Sequence, residues 1–244
     1  MAEIIPKTHD TSLFRFKLEE EQTLGMTVAS AVLVKADLEG KTNIRPYTPT
    51  SKVTDIGYFD LVIKRYEQGI ISKHIHNLKV GEKLAVKGPI PKIKYTPNMK
   101  KEIYLLAGGT GITPHYQVIQ EVLSNPDDKT KLTLIYASKT EDDIILKEEL
   151  DQLASKHDNL KIHHIVSKVN DPSKFADKGI VGHINKQLLT SHLPAPSDDV
   201  YVFVCGPPSF MDSISGPKTK DYQQGQVSGY LKELHFNENQ VYKF

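Results

Sequence analysis

One cysteine, Cys205, stands in 244 residues, so no disulfide can form within the chain. That fits a reducing compartment, or a fold with no need of cross-links. No stretch approaches 18 consecutive apolar residues, and no charged-then-apolar leader opens the sequence, so the chain as given reads as soluble. An excess of one charge is missing too. Lys and Arg number 31 against 30 Asp and Glu, a net charge of +1, and no global field draws the chain to nucleic acid or an anionic membrane. The usual signatures of nucleophilic, zinc-hydrolytic and dithiol chemistry are absent: there is no G-x-S-x-G, H-E-x-x-H or C-x-x-C. Ten histidines are scattered. The adjacent pair His163-His164 falls in a strand pattern, where neighbours face opposite sides, so it makes a poor metal pair and no metal is expected. There is no internal repeat and no low-complexity tract.

What is present is ordinary globular composition, 39% hydrophobic and 25% charged, with two rhythms. Residues 1–98 alternate with period two and break often at Pro and Gly. Strands are expected at Leu13–Leu18, Val28–Lys35, Tyr58–Arg65 and Lys83–Lys87, with one short helix at Ser72–Leu78. Many short strands with frequent turns predict an antiparallel β-barrel. Residues 99–244 alternate apolar strands with amphipathic helices. The strands are Ile103–Ala107, Leu132–Ala137, Leu160–Val166 and Val200–Val204. Helices are expected after Pro114, through Leu146, Leu150 and Leu153, and around Ile184–Leu189. This is the pattern of a doubly wound parallel sheet, with a linker at Tyr95–Lys101. The strand pattern begins as early as Thr11, which predicts a chain that has lost an N-terminal segment.

Four motifs carry chemistry, and each also has an ordinary structural explanation. Gly108-Gly109-Thr110-Gly111-Ile112-Thr113-Pro114 lies between an apolar strand and a helix, where glycines let backbone approach a pyrophosphate. Pro114 replaces the third glycine of G-x-G-x-x-G and is expected at the first helical position. The plain alternative is a strand–turn–helix junction. Cys205-Gly206-Pro207-Pro208 ends another apolar strand, on the side where open α/β sheets bind ligands, although a lone cysteine is more often packing. Arg45-Pro46-Tyr47-Thr48-Pro49 offers a bidentate cation for phosphate, a flat ring and a hydroxyl on a stiff segment, or else an edge strand ended by proline. Lys64-Arg65-Tyr66-Glu67-Gln68-Gly69-Ile70-Ile71-Ser72 feeds a Gly turn into a helix. It is either a second anion site or a helix capped by Ser72.

In order and spacing these motifs resemble the ferredoxin-reductase-like flavoproteins, and in particular the NADH–cytochrome b5 reductase family, over essentially the whole chain. The ending Gln240-Val241-Tyr242-Lys243-Phe244 is similar to its fungal mitochondrial branch. The resemblance implies a six-stranded barrel holding FAD and an α/β domain holding NADH. It implies that Arg45 meets the FAD diphosphate, with Pro46 beside it, that Tyr47 packs on the isoalloxazine, and that Thr48 hydrogen-bonds near flavin N5. Val62, Ile63, Lys64 and Tyr66 would contact the flavin and ribityl chain. Gly69, Ile70, Ile71 and Ser72 would form the pyrophosphate loop, and Thr113 would close over FAD. Gly109, Thr110 and Gly111 would face the NADH phosphates. Cys205, Gly206, Pro207 and Pro208 would set the nicotinamide against the flavin, with Phe244 nearby. Tyr47, Thr48 and Cys205 are the expected catalytic set. Hydride transfer needs the two rings about 3–3.5 Å apart and needs no side-chain nucleophile.

Departures from the family pattern carry expectations of their own. Ile70-Ile71 replace Lys-Met, removing a side-chain charge but keeping backbone donors. Ser167-Lys168 stand where the family commonly has an acid that favours NADH, so weak discrimination against NADPH is expected. The acceptor implied is cytochrome b5 or a similar acidic haem protein, met by five lysines and no acid between Lys87 and Lys101, a run that equally fits a solvated basic loop. The resemblance further implies a monomer, attached to membrane only through a missing N-terminal anchor. The compartment implied is the mitochondrial outer membrane or intermembrane space, with the endoplasmic reticulum as second choice. Competing readings are the reductase module of a nitrate-reductase-like enzyme, which the terminal Phe244 and the lack of a fused haem domain disfavour, and a non-catalytic nucleotide-binding module, which the intact flavin motifs disfavour.

Overall fold

The computed structural model describes every residue except 39, 170, 172–174, 176 and 177. By backbone contacts the chain divides into two units, residues 1–95 with 116–121, and residues 96–115 with 122–244.

The first unit is built from six antiparallel strands. In one sheet β2 (Thr11–Lys17) lies between β1 (Glu3–Pro6) and β5 (Tyr58–Lys64); in the other β3 (Ser30–Leu38) lies between β4 (Lys41–Tyr47) and β6 (Ala85–Pro91). The six strands of the expected barrel thus pair as two three-stranded ladders, and a bridge between Pro49 and Leu61 links the segment after β4 to β5. Alternation dictates the interior. Phe14 and Phe16, Val32 and Val34, and Phe59, Leu61 and Ile63 turn inward, and helix α1 (Ile70–His76) adds Ile71 and Ile75. Each such side chain, once removed from water, contributes about 1.5–3 kcal/mol. On the outer face the same register sets Arg15 opposite Asp60 in a two-pronged ion pair, Nε and Nη2 each donating over 2.8 Å.

Two strands escaped the periodicity. β1 is short and mostly exposed, and β4 shows no alternation and contains Pro46. β4 is an edge strand, the place where a proline costs no ladder hydrogen bond. The last strand runs from Ala85 to Pro91 rather than Lys83 to Lys87, with a bulge opposite Ala31 and Leu33. The helix begins at Ile70, so Ser72 is its third residue and not its cap; Gly69 holds that position.

The second unit is one parallel sheet in the order β10-β9-β8-β7-β11-β12, comprising β7 (Glu102–Gly108), β8 (Lys131–Ser138), β9 (Leu160–Val166), β10 (Ile180–Val181), β11 (Val200–Cys205) and β12 (Val241–Lys243). The central strands are apolar along nearly their whole length because both faces are covered. From β7 the chain winds outward through β8, β9 and β10, then returns to place β11 and β12 on the other flank. The winding reverses between β7 and β11, and in such sheets that reversal opens the ligand crevice beyond the carboxyl ends.

Helix α2 (Ile112–Ser124) follows a 3-10 turn at Gly109–Gly111, so Pro114 is its third residue, not its first. Proline is tolerated there because the first four helical N–H groups have no partner within the helix. Leu146 stands outside α3 (Lys147–Lys156) in the left-handed region, with φ of 61°, although its side chain is buried as the pattern required. The next helix runs Lys186–His192 and is capped by Asn185, whose side chain accepts from the Leu188 N–H.

Candidate functional site

In the second unit the two glycine motifs are neighbours. Ala107 pairs with Cys205 across β7 and β11, so Gly108–Gly111 and Cys205–Pro208 leave adjacent strand ends at the reversal of the sheet. Gly111 has an ordinary φ of −61°, yet a Cβ there would overlap the Cys205 carbonyl. It is glycine because the two turns touch. Gly109, by contrast, has φ of +53°, where a side chain would be strained. Gly108 and Gly206 both abut the Phe210 ring, a packing role no motif announces. Pro207 precedes a helix over Pro208–Ile214, and the Thr113 hydroxyl donates to the Thr110 carbonyl over 3.2 Å.

Burial pushes the Cys205 thiol up to about 12, so it stays protonated and is neither nucleophile nor base at neutral pH. A protonated thiol agrees with a reaction that needs no covalent step. Phe244 donates its N–H to the Val204 carbonyl over 3.0 Å, extending the β11–β12 pairing to the terminal residue. The Phe244 ring meets Phe203, Tyr242 and His115 edge to face.

Two buried polar residues, His115 and Lys243, and the half-buried Gln224 carried no sequence signal here. His115 is fully buried: its Nε2 donates to the Leu106 carbonyl over 3.1 Å, its Nδ1 has no hydrogen-bond partner among the described residues, and burial holds its pKa down to about 3. Lys243 is 1% exposed, with Nζ donating to the carbonyls of Pro217 and Gln226. Gln224 bonds both the N–H and the carbonyl of Lys243. On the other side of the crevice, Lys168 donates its N–H to the Lys139 carbonyl over 2.8 Å and Ser167 donates to the Ser138 carbonyl. Lys139 and Lys168 are both exposed just past the carboxyl ends of β8 and β9.

In the first unit, helix α1 packs against β3 and β4, bringing the Gly69 turn to the Arg45–Tyr47 strand. Arg45 and Pro46 are exposed and Thr48 is half-buried. Arg45 donates to the Ile44 carbonyl. Tyr47 packs on the core, and burial lifts its phenol to about 12, leaving it a neutral donor. Along β5, Ile63 points into the core while Val62 and Lys64 take the other face, so these three side chains do not share one side. Lys64 is paired with Asp10 at 2.6 Å. In the turn, the Ser72 hydroxyl accepts from the Tyr66 N–H and donates to the Gly69 carbonyl, and a Cβ at Gly69 would collide with Ser72 and Tyr66. Ile71 is buried in the core, while Tyr66 and Ile70 stay 48% and 44% exposed, leaving apolar surface beside the turn.

These donor sets suit the two nucleotides. An exposed guanidinium, an un-ionised phenol and apolar faces fit FAD, and a Gly-lined crevice at the reversal of a parallel sheet fits a dinucleotide. Bound together, the two cofactors supply the hydride chemistry themselves. Residues 2–95 match the oxidoreductase FAD-binding domain family and residues 105–216 the oxidoreductase NAD-binding domain family. The chain is 49% identical over 243 residues to an NADH-cytochrome b5 reductase-like protein of Arabidopsis thaliana, covering 97% of this chain and 73% of that one. It is 46% identical over 247 residues to NADH-cytochrome b5 reductase 2 of Candida albicans, covering 100% and 81%. Among solved structures it resembles the cytochrome b5 reductase domain of Ulva prolifera nitrate reductase, with TM-score 0.84, 33% identity, and coverage of 100% of this chain and 95% of that one. With both cofactor domains present, the chain is an FAD- and NADH-dependent flavoprotein oxidoreductase and belongs to the NADH–cytochrome b5 reductase family.

Proposed function

We propose that the chain passes electrons from NADH through FAD, and then singly, to cytochrome b5 or a similar acidic haem protein. The observation that carries this is kinship over 97–100% of this chain and 71–81% of the relatives, which are named for that reaction, at 45–49% identity. Charge adds a second support. Of the five lysines between Lys87 and Lys101, Lys87, Lys92 and Lys94 are exposed on and just after β6, and Lys100 and Lys101 meet Asp198 and Asp199. The first three are the candidate docking cations. Reduction of cytochrome b5 should then slow steeply with added salt, while ferricyanide reduction changes little. Equal salt sensitivity would remove the docking site, and failure to reduce cytochrome b5 at any ionic strength would remove the acceptor.

The exposed Lys139 and Lys168, with Ser167 in place of an acid, support a looser choice between NADH and NADPH than the family pattern implies. No helix among the described residues is long and apolar enough to cross a membrane. Resemblance alone supports a monomer, membrane attachment through a segment outside this chain, and a mitochondrial location ahead of the endoplasmic reticulum.

A further inference from the structure

Tyr136 lies on β8, two residues before the strand ends, and is fully buried. No motif includes it. Its hydroxyl uses both of its hydrogen-bonding roles on backbone: it donates to the Gly109 carbonyl over 3.1 Å and accepts the Ile145 N–H over 3.2 Å. Gly109 opens the turn after β7. Ile145 lies in the segment between β8 and α3, behind a turn that Thr140 and Asp143 close with reciprocal bonds. One oxygen therefore ties together the two loops that leave the carboxyl ends of neighbouring strands.

The tie acts at a sensitive point. Gly109 has φ of +53°, one of several backbone conformations open to glycine, and its carbonyl also accepts the Ile112 N–H. In a trans peptide the carbonyl and the following N–H point in opposite directions. Anchoring the carbonyl to Tyr136 therefore fixes which way this peptide, and the short turn built on it, presents its opposite edge. Burial raises the phenol pKa, so the hydroxyl keeps its proton and its grip.

We propose that Tyr136 is a positioning residue for the nucleotide: through Gly109 it holds the turn in the orientation that receives the NADH pyrophosphate, and it takes no part in hydride transfer. This rests on reading Gly109–Gly111 as the nucleotide turn. Tyr136→Phe in the FAD-loaded enzyme deletes one oxygen and keeps the ring. The KM for NADH and the Kd for ADP-ribose should rise about ten-fold, the effect of roughly one hydrogen bond. Meanwhile kcat at saturating NADH, FAD content and the KM for the acceptor should hold. Gly109→Ala strains the same turn from the other side and should raise the same KM, and the double variant should fall short of the product of the two effects. Unchanged NADH and ADP-ribose binding in Tyr136→Phe overturns the proposal. So does a loss of kcat and FAD content in step with KM, which marks a general structural role. A wild-type protein that oxidises NADH without binding ADP-ribose overturns the reading of the turn, and the role with it.

Discussion

In the proposed nucleotide site, Ser167 and Lys168 stand at the strand end assigned to the ribose. A carboxylate at this strand end would accept the ribose hydroxyls and repel a 2′-phosphate; a serine does neither, and Lys168 and Lys139 add positive charge beside it. Steady-state kinetics should therefore show a kcat/KM ratio for NADH over NADPH well below about a thousand-fold, and Ser167→Asp should raise that ratio about ten-fold, chiefly by weakening NADPH. A wild-type preference already at a thousand-fold contradicts the idea. The glycines of the turn were legible because their spacing between strand and helix is a local property. That Gly111 exists for Cys205, and Gly108 and Gly206 for Phe210, was not, since those contacts join residues about a hundred positions apart or hang on a ring's orientation. His115 and Tyr136 were silent for the same reason: each bonds to backbone, which every residue has.

Elements show a sharper divide. Strands with an apolar interior, such as β2, β5, β7 and β9, could be placed to within a residue or two, because alternation or continuous hydrophobicity records burial directly. β1, β4 and β12 could not. β12 has only three residues and no room for a period, and it is held by a partner that sequence does not reveal. Lys243 sends its ammonium inward to the Pro217 and Gln226 carbonyls, and Gln224 brackets its backbone, so residues 217–226 are fastened to the terminal strand. Lys243→Met should keep the hydrocarbon but orphan two carbonyls, lowering unfolding stability by about 1–3 kcal/mol in urea titrations and loosening Phe244, the next residue. Stability equal to wild type would mean that the charged bonds gain no more than their desolvation costs.

For the whole molecule, a net charge of +1 leaves stability and association to local groups rather than to a global field. One such group sets an acid limit. The folded pKa of His115, about 3, lies below the ordinary 6.5 because burial penalises its charged form. The unfolded chain therefore takes up a proton that the folded chain refuses, and the stabilising difference, complete above about pH 6.5, is lost as pH falls toward 3. Unfolding free energy should fall by about 1.4 kcal/mol per pH unit on account of this residue alone across that window. His115→Phe should flatten the slope; an unchanged slope would mean His115 takes up its proton in the folded state as readily as in the unfolded one. The sequence conveyed the two-part architecture and the motifs, while register, which puts Ala107 opposite Cys205 and Val204 opposite Lys243, came only from pairing.

The half-buried thiol of Cys205 has a further consequence for durability. Oxidants attack the thiolate, and the climb to sulfenic, sulfinic and sulfonic acid starts from that anion. With its pKa near 12, Cys205 offers almost none of it at neutral pH. A protein that handles electrons turnover after turnover thus holds its one cysteine in the protonated form, the form that oxidants attack least.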